Sequence, residues 1–498
     1  MVLTKSEYMM FLKHPAWLWL KKYDKGKLPV TDENTQAMFN AGHDFESYVE
    51  KLFPDAKRLG FNTYEEYNSL PAVTEAALTE VNTILQGRFE SENLTCIVDI
   101  IEKNSNGKYN LIEIKSGTKA KPEYNYDLAF QAVVLEECGI TINNFYIIHV
   151  NSDYVRSGDI DPVGITLKTE VTEEVKELIE FTKGQITKAL TILSSSEMPD
   201  LSPRYANPHK IPGSWFKDWL EVYKYLNPDL DPYSIYFLSS PNADQIGDLE
   251  EMDISLIGDI PEEMALRPRQ LSQIVSTRDN KRTIDKTKIK EFLNTFEFPL
   301  YFFDYETLSS LIPTFDGFKP YADYPFQYSL HILESPDTEL KHTEYLHTEN
   351  SNPMPNLLKR LKEDIGNKGT VLTWNMKYEK GCNKTLAEFY PEYKEFLDKL
   401  NERIEDLKTP FSEMWFVDKD FYGSASIKSV LPVLVPDLSH KNLDVSEGLK
   451  ARRLWMETIL DGKNKEQRQD VVKNLIDYCT LDTYAMVRIL EELKKIIK

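Results

Sequence analysis

Disulfides, cysteine-rich metal sites and membrane spans have little to build on in this chain. Its 498 residues hold four cysteines, Cys96, Cys138, Cys382 and Cys479, with no CxxC pair. That argues against a disulfide framework or a zinc ribbon and makes a reduced cytoplasm the expected compartment. No run of about 18 apolar residues occurs, so no membrane span is expected. The opening residues lack a charged segment followed by an apolar one, so no secretory signal is read. Positive charge is also scarce, for the formal net charge is −21. A protein that coats nucleic acid nonspecifically draws on Lys and Arg, so the charge weighs against that class. It does not exclude a metal-dependent enzyme, because clustered carboxylates bind cations that locally reverse their sign. Basic stretches do exist, at 115–121 and 278–290.

What is present is the material of several folded domains. Apolar residues make up 41% and aromatics 12%, and the length suggests about three domains. No internal repeat or low-complexity tract is found. Residues 1–50 read as helices, with a break at His14-Pro15 and helical spacing of Met38, Phe39, Phe45, Val49 and Leu52. Residues 74–118 read as strands and turns, including a strand at 95–101, a hairpin turn at 104–107 and a returning strand at 109–115. Helices are expected at 126–138 and 171–194, with a strand at 144–150 between them. Residues 196–292 read as a mostly helical connector. From 298 the pattern alternates, with strands at 298–305, 326–333, 344–346 and 370–374, a helix at 356–365, and helices beyond.

Two constellations carry the chemistry. In the C-terminal part, Asp304 and Glu306 lie two apart at the end of an apolar run, so on a strand both face one side. Glu379 follows Trp374-Asn375-Met376-Lys377-Tyr378. Asp482 follows Tyr478 at i+4, which on a helix puts both on one face. Carboxylates emerging from apolar surroundings are costly to bury unpaired, and two metals bridged by them can activate water and stabilise a leaving oxygen. In the N-terminal part, Asp99 and Glu113 sit on the two arms of the expected hairpin. Lys115 is two residues beyond Glu113 and faces the same side. Such carboxylates suit Mg²⁺ or Mn²⁺, and an ammonium beside them can orient water or offset developing charge.

The C-terminal set resembles the Tyr-type DEDD exonucleases, which have an RNase H-like mixed sheet. The resemblance implies metal ligation by Asp304, Glu306, Glu379 and Asp482, with the Tyr478 hydroxyl positioning water. Glu379 stands where that family usually has Asp. The segment 423–432, Gly-Ser-Ala-Ser-Ile-Lys-Ser-Val-Leu-Pro, also resembles the family. It reads as a loop opening a helix, whose amides could meet a phosphate, or as a plain cap by Ser424 or Ser426. The N-terminal set resembles the RecB-like branch of the PD-(D/E)xK nucleases and the CRISPR-associated exonucleases related to it. That resemblance implies catalytic roles for Asp99, Glu113, Lys115 and Gln131, and places His43 as a further metal ligand. His14 stands where those relatives carry a cluster-binding Cys, so no iron–sulfur cluster is expected. Leu135 stands where a Tyr often follows the Gln motif.

The pairing of the two is similar to an uncharacterised bacterial family of predicted nucleases of the DUF2779 type. The expected fold is therefore α/β: a restriction-endonuclease-like domain over 1–195, the helical connector over 196–292, and an RNase H-like domain over 293–498. The expected function is a metal-dependent nuclease with two active sites, DNA being the leading substrate and RNA an alternative for the C-terminal site, in repair or in defence against mobile DNA. Two other readings stand beside it. One is a nucleic-acid-binding or assembly subunit with a degenerate site, whose protein partner supplies the basic DNA path. The other is a nucleotide phosphohydrolase.

Overall fold

The computed structural model describes every residue except Met1, residues 440–444 and residue 446. The chain divides into two compact units. One comprises residues 1–230, 241–251 and 311–320; the other comprises 231–240, 252–310 and 321–498. The stretch 196–292 is thus shared between them.

The first unit is built on a seven-stranded sheet. Its strands are β1 (Leu3–Thr4), β2 (Lys57–Arg58), β3 (Thr83–Glu90), β4 (Leu94–Lys103), β5 (Tyr109–Lys115), β6 (Ile142–Val150) and β7 (Thr166–Glu170). The order is β2-β3-β4-β5-β6-β7, with β1 added parallel to the start of β4. β4 and β5 form the expected hairpin, closed by Gly107 at φ +75°, a backbone conformation that suits glycine. Their pairing ends at Ile100 and Ile112, so Asp99 and Glu113 lie just past the last pair.

The two faces of this sheet are covered differently. Leu111 packs with Leu128, Phe130 and Leu135 of the helix Glu123–Glu137. Ile112 and Ile114 pack with Phe45 and Val49 of the helix Glu33–Glu50. Only the second half of that helix is seated, for Met38 is 71% and Phe39 54% exposed, against the apolar stripe expected of it. Alternation on β4 slips at Asp99: Val98 and Ile101 join one core and Ile100 the other. The slip coincides with a left-handed residue, Gln86 at φ +57°, on the facing stretch of β3, a disturbance of the kind that re-aims a side chain.

Two local readings are corrected. Residues 74–80, read with strands and turns, belong to the helix Tyr64–Glu80, which a capping box of Thr63 and Glu66 starts and which tolerates Pro71. The N-terminal segment begins with β1 before the helices Lys5–Lys13 and Pro15–Tyr23. His14 caps the second of these by accepting from the Ala16 amide at 3.1 Å, and its ring stacks on Trp219.

The second unit carries β8 (Thr283–Ile284), β9 (Leu300–Leu308), β10 (Tyr324–Leu333), β11 (Lys341–Leu346), β12 (Thr370–Thr373), β13 (Ile404–Asp406) and β14 (Phe416–Val417). Five form one sheet in the order β11-β10-β9-β12-β13; β8 and β14 pair separately. β10 runs antiparallel to β9, whereas β12 and β13 run parallel to it. β13 and β14 fall where only helices were expected; they are three and two residues long, too short to show a period. Leu300 and Phe302 pack with Ala485, Met486, Ile489 and Leu493 of the helix Arg468–Ile497. The next residues on the same face of β9 are Asp304 and Glu306. One face of a single strand is therefore apolar where it begins and acidic where it ends.

Candidate metal centres

In the second unit the acidic end of β9 meets an earlier turn of the C-terminal helix. One ligand oxygen each from Asp304, Glu306 and Asp482 lies within 4.8 Å of the others. Among the described residues this is the only group of three or more His, Cys, Asp or Glu side chains gathered so closely. A cleft of about 300 Å³ opens over it, lined also by Trp374, Asn375, Tyr378, Glu379, Gly448, Arg452 and Tyr478. Glu379 comes from the first turn of the helix Met376–Phe389, which begins directly after β12. It is 2% exposed, and its Oε2 is buried with no hydrogen-bond partner.

The charges in this cleft strain against one another. Burial, then the Asp482 and Glu306 charges, raise Asp304 well above the usual carboxylate range. Burial and Asp482 push Glu306 up to about 8, against the pull of Arg452 and Lys428. Burial and Asp406 push Glu379 up to about 8. Tyr478 is raised by burial and by the same acids, so its hydroxyl keeps its proton. Oxygen donors at this spacing, with one buried carboxylate oxygen unpartnered, fit a hard divalent cation such as Mg²⁺ or Mn²⁺. A cation there would relieve both the burial and the repulsion.

Arg452 is a member of this cleft that sequence reasoning missed. It donates to Thr307 Oγ1 at 3.1 Å and to Asp323 at 3.0 Å, while Thr307 shares a 2.6 Å hydrogen bond with the Tyr378 hydroxyl. These contacts tie the end of β9 to the helices Gly448–Trp455 and Met376–Phe389. Of the aromatics near the acids, Tyr305 is buried and donates to Asn383, and Trp374, at the cleft wall, donates to the Ala425 carbonyl. Ser426 is a helix cap, accepting from the Ser429 amide at 3.3 Å.

In the first unit the structure brings Asp99, Glu113, Lys115 and Gln131 together. Glu113 is 2% exposed. Its Oε1 accepts from Lys115 and from Lys5, both at 2.8 Å, and its Oε2 accepts from Gln131 at 2.7 Å. Lys115 also reaches Asp127 at 2.5 Å. Asp99 accepts the Ile114 amide at 2.8 Å. Burial and the Glu113 charge push Asp99 up to about 7. Burial pushes Glu113 up as well, but Lys115 and Lys5 outweigh it and hold Glu113 at about 2. Burial pulls the Lys115 ammonium down, yet Asp127 and Glu113 prevail and hold it well above its usual value.

Lys5 and Asp127 were not found by sequence reasoning. Asp127 had a signal, for it precedes Gln131 by one helical turn. Lys5 had none, since β1 and a helix cap place it. His43 stands apart from the carboxylates. It is 73% exposed, lies 3.5 Å from Glu46, and shares with Lys115 a cleft of about 300 Å³ that Met38, Phe39 and Ser116 also line. It does not form a three-ligand group with Asp99 and Glu113. The fit to a cation is less direct here than in the second unit, because both Glu113 oxygens already accept hydrogen bonds.

Fold and site together define a two-unit α/β protein with a partly buried carboxylate triad in one unit and, in the other, a carboxylate pair of which Glu113 is clasped by two lysines. Residues 301–426 match the family described as Domain of unknown function (DUF2779); the match spans Asp304, Glu306 and Glu379 and stops short of Asp482. A Mycoplasma genitalium protein, named Uncharacterized protein MG366, is 24% identical over 231 residues, covering 42% of this chain and 34% of that protein. The chain therefore spans about a third of the length of that relative. Among the described residues no helix is long and apolar enough to cross a membrane.

Proposed function

We propose that this chain is a divalent-metal-dependent nuclease with two sites, with DNA the leading substrate and RNA an alternative for the C-terminal site. The observation that carries the reading is the meeting of Asp304, Glu306 and Asp482 within 4.8 Å, in one cleft with Glu379 and Tyr478. The sheet order β11-β10-β9-β12-β13, with only β10 running against the other four strands, supports an RNase H-like reading of this unit. The β4–β5 hairpin bearing Asp99, Glu113 and Lys115 supports the PD-(D/E)xK reading of the other.

Bound Mg²⁺ or Mn²⁺ would supply Lewis-acid chemistry, polarising a phosphoryl oxygen and making bound water acidic. Asp304, Glu306, Glu379 and Asp482 would hold it in the second unit, and Asp99 and Glu113 in the first. The Tyr478 hydroxyl, protonated beside the acids, donates to and orients the attacking water. In the first unit Lys115, fixed between Glu113 and Asp127, presents a permanent positive charge to a phosphate. Gln131 fixes the Glu113 carboxylate from the other side.

The test is a Mn²⁺-dependent digestion of end-labelled single- and double-stranded DNA and RNA by wild type, Lys115→Ala and Asp304→Ala. Each substitution is expected to remove a different product set. If one variant loses all cleavage and the other none, the silent site is not catalytic. Absence of polymer cleavage by wild type with any metal overturns the reading, and product release from mononucleotides alone would make the chain a phosphohydrolase.

A further inference from the structure

Glu113 carries more positive charge than a ligand waiting for a metal needs. Two ammoniums, Lys5 and Lys115, lie 2.8 Å from the same oxygen, and the Gln131 amide occupies the other. The two lysines are held differently. Lys115 has a second carboxylate partner in Asp127 at 2.5 Å. Among the described residues Glu113 is the only ion-pair partner of Lys5.

The backbone at Lys5 is well fixed. Leu3 and Thr4 pair with Leu94 and Thr95 of β4, and a reciprocal cap between Thr4 and Glu7 starts the helix. The freedom lies in the side chain, which is 23% exposed and so has a way out to solvent. A divalent cation set against Glu113 with both ammoniums in place would meet strong like-charge repulsion in a site of low effective dielectric. One ammonium has to leave, and Lys5 is the one with a single tether.

We propose that Lys5 is a displaceable counter-ion of Glu113: its ammonium holds the carboxylate in the metal-free site, and a divalent cation binds in the first unit only by displacing it. The inference rests on the nuclease reading of that site and adds a regulation to it. Lys5 is a positioning residue, lowering the site's cation affinity below what its carboxylates alone would give. Its released ammonium becomes available to a substrate phosphate, so cation and polymer binding are coupled.

The experiment is a calorimetric Mn²⁺ titration of the full chain carrying Asp304→Asn and Asp482→Asn, so that the remaining binding reports the first unit. Lys5→Met is expected to tighten Mn²⁺ binding by about ten-fold or more, since a unit charge beside the ion is removed. Lys5→Gln, which still donates a hydrogen bond to Glu113, serves as a second neutral variant should the first fold poorly, and is expected to tighten it too. Lys5→Arg keeps the charge and is expected to leave the affinity unchanged within about two-fold. Equal or weaker binding by the folded neutral variants overturns the counter-ion proposal and leaves the nuclease reading standing. If the background chain binds Mn²⁺ no better than the same chain with Asp99→Asn and Glu113→Gln added, the first unit has no cation site and both fall.

Discussion

The Asp99 carboxylate accepts the backbone N–H of Ile114 at 2.8 Å, just past the last pair of the β4–β5 hairpin. It thereby does two things. It satisfies an amide that the ladder leaves behind, and it sets its own charge beside Glu113. Substitution separates the two. Asp99→Asn keeps an oxygen that can accept the amide, so stability should change by no more than about 1 kcal/mol, while cation binding by the first unit should fall sharply. Asp99→Ala should lose both, destabilising by about 1–3 kcal/mol for the orphaned amide. Urea unfolding with Mn²⁺ titration checks this, and an Asp99→Asn chain that still binds the ion normally rules Asp99 out as a ligand.

The raised carboxyls of the second unit predict an unusual stability profile. Glu306 and Glu379 are pushed from 4.5 up to about 8 in the folded state. Between those values the folded chain holds protons that the unfolded chain has released, so stability falls as pH rises. Their contribution is intact below about pH 4.5 and is lost progressively up to about 8. The slope should reach about 1.4 kcal/mol per pH unit for each carboxyl forced to ionise. Glu306→Gln with Glu379→Gln should flatten it, and so should saturating Mn²⁺. Denaturation midpoints from pH 4.5 to 8.5, with and without the ion, measure it; a metal-free profile flat or rising across that window contradicts the raised carboxyls.

How far the sequence carried depended on the distance over which each signal acts. Asp304 and Glu306 were legible because strand period alone puts them on one face, and Tyr478 with Asp482 because helix period does the same. The hairpin joining Asp99 to Glu113 was legible from a turn signal at Asn104–Gly107. Lys5 lies 108 residues from Glu113 and reaches it through the pairing of a two-residue strand, which leaves no local pattern. Arg452 is more remote still, 145 residues from Thr307. The slip of β4 at Asp99 was hidden because Gln86 is not a residue type that announces a positive φ. Residues 311–320, which follow β9 in sequence, belong to the first unit, an arrangement that periodicity cannot express.

Gly369 is expected to be the least replaceable glycine of the second unit. It stands at φ +84°, immediately before β12, and a Cβ there would collide with the backbone oxygen and nitrogen of Pro299, immediately before β9. β9 and β12 start side by side, with Thr370 opposite Leu300. Gly369→Ala must therefore push apart the two strands that lead into Asp304 and Glu379. The expected cost is about 3 kcal/mol or more, from overlap together with a backbone conformation alanine disfavours. Thermal unfolding checks it, and a shift smaller than about 2 °C would show that the strands yield cheaply.

Tyr478 and the acids it faces should separate in their effects on binding and rate. Its hydroxyl is not among the three ligand atoms gathered within 4.8 Å, and burial keeps it protonated. Tyr478→Phe removes the donor and keeps the ring. Mn²⁺ affinity of the second unit should stay unchanged within about two-fold, while the rate of the cleavage lost in Asp304→Ala should drop by about a hundred-fold. Equal losses of ion and rate would make the tyrosine a support for the acids instead of a partner of the water.

Glu379 is where stability and activity should pull in opposite directions. Its Oε2 is buried without a hydrogen-bond partner, and an ionised carboxylate left so is costly. Glu379→Gln removes the charge and keeps the shape, so above about pH 8 the metal-free variant should be more stable than wild type by about 1–5 kcal/mol. The second unit's cleavage should fall by at least about ten-fold, because the variant can no longer offer a charged oxygen to a cation. Glu379→Asp tests reach. The side chain starts from the first turn after β12, and shortening it by one methylene withdraws the oxygens from the acids of β9. If the longer side chain is the fitted one here, the aspartate variant should bind Mn²⁺ more weakly than wild type. Tighter binding by Asp would show that the extra methylene holds this site back.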